Sequence, residues 1–175
     1  MKFFVFGYLR LFVFAAGMLV GIQVPGFVDQ YSKRLDARFS EASHNISGFQ
    51  STARLLFGGD MQALIRYYET SGDPVFESDA DSIRNIYNRY RILAAEMEAL
   101  EGNAISRAMH VGFAANEELF QETLNQYSYT VPLNTQAVGW GLTMALLLTV
   151  LGELTVLGLV KAPRLLSRRR HSLPP

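Results

Sequence analysis

Two ionisable residues stand inside otherwise apolar runs. Arg10 lies within Phe3 to Val24, FFVFGYLRLFVFAAGMLVGIQV, and Glu153 within Ala137 to Val160, AVGWGLTMALLLTVLGELTVLGLV. A charge inside a membrane-crossing helix is costly, so such residues mark an ion or proton relay, or a pair that neutralises itself. The stem of Arg10 is long enough to carry its guanidinium to the headgroups. Glu153 has no such reach and needs Arg10 of the same or a neighbouring chain, or a proton in a subunit interface. Other chemistry-bearing residues do not gather. His44, His110 and His171 lack paired ligand spacing such as H-x-x-x-H, so no metal site is expected. The chain has no cysteine, which removes disulfides and thiolate nucleophiles. There is no Gly-rich phosphate loop after a strand and no G-x-S-x-G elbow, so neither catalytic residues nor a cofactor are expected and the chain reads as non-enzymatic. Glu96, Glu98 and Glu101 lie beside an apolar seam, where solvated charge is the ordinary finding.

The elements that must position Arg10 and Glu153 are the apolar runs themselves. At about 1.5 Å per residue, roughly twenty apolar residues cross a hydrocarbon core of about 30 Å. The formal net charge of zero is a cancellation. Lys2, Arg10, Lys161, Arg164, Arg168, Arg169 and Arg170 cluster at the two ends, against Glu153 alone, and the middle carries the excess carboxylates. The positive-inside bias puts both ends in the cytoplasm and the middle across the membrane, a space that in a bacterium is the periplasm. A basic start before an apolar core also suits a secretory signal peptide. The run is long for one and no A-x-A pattern follows it, so an uncleaved anchor is expected. The expected fold is an all-α membrane protein of two antiparallel transmembrane helices with an extracytoplasmic helical hairpin or coiled-coil-like bundle between them. Its segments are a first span at 1–27, an external domain at 28–133, a second span at 134–160 after a turn at Pro132 and Asn134, and a basic tail at 161–175. That tail reads as a topology signal and an anionic-lipid contact, each charge contributing about 1 kcal/mol near such a surface, rather than as a nucleic-acid site.

Depth counting sets the register. Arg10 is about 10 Å inside Phe3 and Glu153 about 12 Å before Lys161, so they lie at similar depth from one face. The same register levels Gly17 with Ala145 and Gly21 with Gly141. Small residues four apart let helices approach closely in lipid. One angular check opposes the ion pair: Glu153 is some 80° around from Ala145 at about 100° per residue, and Gly152 fits that face better.

The middle is helical in pattern. Pro25 with Gly26 ends the first regular run, yet the helix can continue past a kink there as a stalk. Val28, Leu35, Ala42, Phe49 and Leu56 repeat every seven residues, with Phe39, Ile46 and Ala53 beside them. Gly58 and Gly59 break the run, and Asp60 is a candidate N-cap for a short helix holding Leu64, Ile65 and Tyr68. Glu69 to Pro74 reads as a turn. The next helix carries Ile83, Ile86, Tyr90, Leu93, Met97 and Leu100, with Asp79, Asp81 or Ser82 as its cap. Gly102 and Asn103 interrupt it before a segment with Ile105, Met109, Val111 and Phe113. Asn116 opens a last helix with Leu119, Phe120 and Leu124 inward and Glu117 and Glu118 suited to its first turn. One chain has too few helices to cover these stripes, so a second copy or another membrane protein is expected as partner. Tyr67, Tyr68, Tyr87 and Tyr90 form an aromatic group that suits either a contact patch or the core.

The segments GIQVPGFVDQYSKRLDARFSEA, DPVF and VPLNTQAVGWGLTMALLL resemble a family of small bacterial two-span membrane proteins classed as a domain of unknown function, numbered 2937 in that series. The resemblance implies a two-span inner-membrane protein with a helical external domain, and assigns no activity or functional residue. Three functions are therefore open: an accessory or structural subunit that oligomerises or binds a membrane complex, a small homo-oligomeric channel or transporter component, and a sensor without its own output domain. Single cysteines at Ser78 and Ser172 test the topology. The two-span reading expects impermeant thiol reagents to label them from opposite sides, and same-side labelling overturns it.

Overall fold

The computed structural model describes residues 2–129 and 134–170, with side chains for 7–129 and 134–155. The described residues form helices and no strand: α1 Lys2–Leu56, α2 Met61–Glu69, α3 Pro74–Ala99, α4 Ala104–Phe113, α5 Glu117–Asn125 and α6 Thr135–Arg170. They fall into two compact units, Met1–Phe27 with Ser128–Pro175, and Val28–Tyr127. Two helices are long and apolar enough to cross a membrane, α1 and the Thr135–Thr155 part of α6.

α1 runs on through Pro25, which removes one backbone donor but leaves the helix continuous. α6 is capped by Asn134, whose Oδ1 accepts from Ala137 N at 2.7 Å. It does not end with the apolar run at Val160 but continues to Arg170. Pro132 and the side chains of the basic tail lie outside the described residues.

Within the unit Val28–Tyr127, the row that α1 buries is Tyr31, Leu35, Ala42, Ile46 and Ala53. Leu35 with Ala42 and Ile46 with Ala53 come from the two seven-residue series, and Tyr31 is the addition. Spacings of four and seven alternate, so the row repeats every eleven residues, close to 3.67 per turn, which a straight helix keeps on one side. A strict seven-residue series drifts around a straight helix, and Leu56 ends it fully in the open. Gly58 and Gly59, at φ +59° and +90°, make the turn into α2 in a conformation that side chains disfavour. Asp60 then accepts from Gln62 N and Ala63 N.

α3 begins earlier than Asp79. Asp73 is its cap, accepting from Val75 N at 2.9 Å, and Pro74 occupies the first helical position, where its missing N–H costs nothing. The Asp-Pro step therefore starts a helix. Ile46, Ala53, Met61, Leu64, Ile65 and Ile83 make one core, flanked by Tyr68, Tyr87 and Tyr90. Those three tyrosines lean on the core while Tyr67 stays exposed.

Asn103 and Asn116 cap α4 and α5. In α5 the buried seat belongs to Thr123 rather than Leu124, because the Thr123 hydroxyl donates to Leu119 O and needs no water. Arg34 and Arg38 of α1 reach α5: Arg34 donates to Gln126 and Arg38 to Glu118, each at 2.8 Å, and Arg38 also pairs with Glu122.

Candidate functional site

The unit built from residues 1–27 and 128–175 brings the charged and small residues together. Arg10 Nη1 lies 3.0 Å from Glu153 Oε1. α6 buries Ala137, Gly141, Ala145 and Thr149, every fourth residue, and Glu153 is the next in that series. Such an i, i+4 ridge winds slowly around the helix, which resolves the 80° discrepancy: the contact line turns with it, and the long Arg10 side chain covers the rest. Gly152 does not serve that face, since a Cβ there meets nothing within 4 Å.

The glycine contacts are tight. A Cβ on Gly21 would stand 2.7 Å from Trp140 O and 2.9 Å from Gly141 Cα, and one on Gly17 3.1 Å from Ala145 Cα. One on Gly141 would stand 2.6 Å from Ile22 Cγ1 and 3.1 Å from Met18 O. Backbone is the obstacle at Gly21, so no rotamer change relieves it.

The unit Val28–Tyr127 holds a second polar centre, on Glu96. Solvated charge is the expectation for this carboxylate, and the structure corrects it: Glu96 is buried, whereas Glu98 and Glu101 are exposed. Its Oε1 accepts from the Tyr31 hydroxyl at 2.5 Å, lies 2.8 Å from His110 Nε2, and accepts from Asn116 N at 3.3 Å. The Tyr31 oxygen itself accepts from Asn116 N at 3.0 Å. One carboxylate oxygen thus joins α1, α3, α4 and the first residue of α5's cap. Burial raises the Tyr31 pKa, and the hydrogen bond and charge of Glu96 raise it further, against a smaller lowering by Asn116.

Glu96 stands three residues after Leu93 and four before Leu100, both buried, so its place on the inward stripe was readable from spacing. Only the missing idea of a partner concealed it, since Tyr31 and His110 lie far away in sequence. Among the described residues no three His, Asp or Glu side chains gather to hold a metal ion. What the centre does chemically is accept hydrogen bonds and fix helix ends.

A family profile described as protein of unknown function (DUF2937) matches residues 5–165. The chain belongs to that family. The DUF2937 region includes Arg10, Glu153 and the glycine contacts as well as the Glu96 centre. No curated protein and no solved structure matches this DUF2937 chain.

Two outcomes follow from these contacts. Gly21→Ala should destabilise the detergent-solubilised protein by about 1–3 kcal/mol, as overpacking does, while Gly152→Ala stays within about 0.5 kcal/mol. Equal unfolding free energies for the two variants would remove the close contact. For Tyr31, the folded pKa is raised, so its contribution is complete below the unfolded value of about 10 and is lost as pH rises beyond it. Stability should fall above about pH 10 by up to about 1.4 kcal/mol per pH unit on account of this residue. Tyr31→Phe should flatten that part of the alkaline slope while costing about 1–3 kcal/mol at neutral pH, because Glu96 loses a donor. An unchanged alkaline slope in the variant would show that Tyr31 ionises freely.

Proposed function

We propose that this protein is a non-enzymatic structural or accessory subunit of a bacterial inner membrane. It crosses twice by antiparallel helices, with both termini cytoplasmic and the middle region periplasmic. It oligomerises or joins a larger membrane complex through its spans and periplasmic helices. The antiparallel arrangement is supported by the pairings of Gly17 with Ala145 and Gly21 with Gly141, since one number rises as the other falls.

The observation that carries the assembly reading is the state of the ion pair. In a single chain the side chains of Arg10 and Glu153 are 66% and 48% exposed. Within hydrocarbon that exposure is expensive even for a neutralised pair, and a helix from another subunit removes it. Around the pair the outward residues are apolar: Leu11, Phe12, Leu146, Val150 and Leu154 face out, as lipid or partner contact requires.

A double-mutant cycle tests the pair within the native particle. Arg10→Gln and Glu153→Gln should each loosen the gently extracted assembly, and the double variant should recover part of the loss, with a coupling of about 0.5–3 kcal/mol. Strictly additive effects would dismiss the pair. The native mass of the same particle reads the partner: a multiple of this chain alone means a homo-oligomer, and other chains in fixed ratio mean a larger complex. A mass of one chain overturns the subunit reading.

A further inference from the structure

The ion pair of Arg10 and Glu153 is only half made within one chain. Among the described residues the guanidinium makes one ion contact, through Nη1, and the carboxylate one, through Oε1. An arginine carries five N–H donors in a fixed fork and a carboxylate accepts on both oxygens, so each group keeps unused capacity. Both side chains are exposed, which leaves that capacity open to another molecule.

Depth and charge define what fits. Each step up α1 is matched by a step down α6, from Gly21 beside Gly141 and Gly17 beside Ala145 to Arg10 beside Glu153. The two charges therefore lie level, one on each helix. In hydrocarbon a partner must bring both signs of charge at that same depth, because an excess of either would leave one buried without its counter-ion. A second copy of this chain brings that set. Inserted the same way round, it is related to the first by a twofold axis along the membrane normal, and such a rotation changes no residue's depth. Four helices in a square about that axis alternate, each α1 between the two copies of α6, with like helices on the diagonals. Arg10 and Glu153 then alternate as well, and each arginine lies between two carboxylates. Nothing in the chain blocks the approach beside the pair, since a Cβ on Gly7 or on Gly152 meets nothing within 4 Å.

We infer that two copies complete this site together: the oxygen left free on Glu153 accepts from the partner's Arg10, and Arg10 donates in turn to the partner's Glu153, in a ring of four charges. The inference rests on the two-span subunit reading and names the partner as a second copy of this chain.

Charge reversal in separate copies tests the exchange. Arg10→Glu in a full chain with one affinity tag and Glu153→Arg in a full chain with another are expressed singly and together. Alone, either variant gathers four like charges and should lose the pairing that unaltered copies show. Together they should regain it as mixed pairs, captured by one tag and detected by the other, because each chain meets across the axis the charge it lacks. Neither chain can repair its own internal contact, so recovery measures pairing between copies. Pairs that survive either reversal alone overturn the inference. No recovery on coexpression, where unaltered copies capture one another, also removes the shared ring and leaves the subunit reading standing. A native particle with one copy of this chain beside other proteins does the same, whereas a lone chain removes both readings.

Should the reversed charges prevent insertion, cysteines report with the ion pair intact, since the chain has none of its own. Leu11 and Gly152 are level in the same register and exposed. Leu11→Cys and Gly152→Cys, on separate coexpressed copies, are treated in the membrane with a bis-maleimide of about 10 Å, the spacing of adjacent packed helices, against about 14 Å across the diagonal. Links joining 11 to 152 should outnumber those joining 11 to 11 or 152 to 152. Equal or reversed yields overturn the inference.

Discussion

A carboxylate taken out of water must find partners, and this chain meets that demand at Glu96. At Glu96 the solution is hydrogen bonding: a hydroxyl, a backbone N–H and an imidazole converge on one oxygen. Glu153, whose side chain is half exposed, has a cation 3.0 Å away. Removing one partner from a buried group costs more than the bond was worth, because the remaining group keeps its desolvation penalty. The geometry of the Val28–Tyr127 unit follows from the first case. Tyr31, Glu96, His110 and Asn116 come from four places in the chain, and satisfying one carboxylate fixes the ends of α4 and α5 against α1 and α3.

Helix ends were largely legible from sequence, because a cap is a local event. Asp60, Asn103 and Asn116 each stand next to a break, and each side chain accepts from the backbone N–H groups that its helix leaves unpaired. The start of α3 was misread for an instructive reason. Proline before an apolar run suggests termination, but at the first helical position its fixed φ favours the helix and its lack of a donor is harmless. The two seven-residue series of α1 supplied Leu35, Ala42, Ile46 and Ala53 but missed Tyr31, for a geometric reason. Seven and eleven share the spacings of three and four, and only the row from Tyr31 to Ala53 distinguishes them.

The Glu96 centre was the least visible part. Glutamate beside an apolar seam is usually solvated, and its partners lie 65 and 14 residues away. Long-range hydrogen bonds leave no periodic trace. Small-residue contacts behave differently, since the rise per residue alone levels Gly21 with Gly141, and the structure sets a Cβ on Gly21 2.9 Å from Gly141 Cα. Depth along a helix is arithmetic, whereas partnership across a fold is not.

The fourfold spacing of small residues has a further consequence. Ala137, Gly141 and Ala145 are not interchangeable seats: a Cβ at 141 would stand 2.6 Å from Ile22 Cγ1, so sliding one helix by a turn would bring an alanine where only glycine fits. Shape alone therefore marks one rung, like a notch among the teeth of a ratchet. Arg10 and Glu153 mark the same rung: a slip of one turn moves them about 5.4 Å along the axis, away from their 3.0 Å contact. Packing supplies both the closeness of the two helices and a preferred stop, and the ion pair acts as a pawl at that same stop.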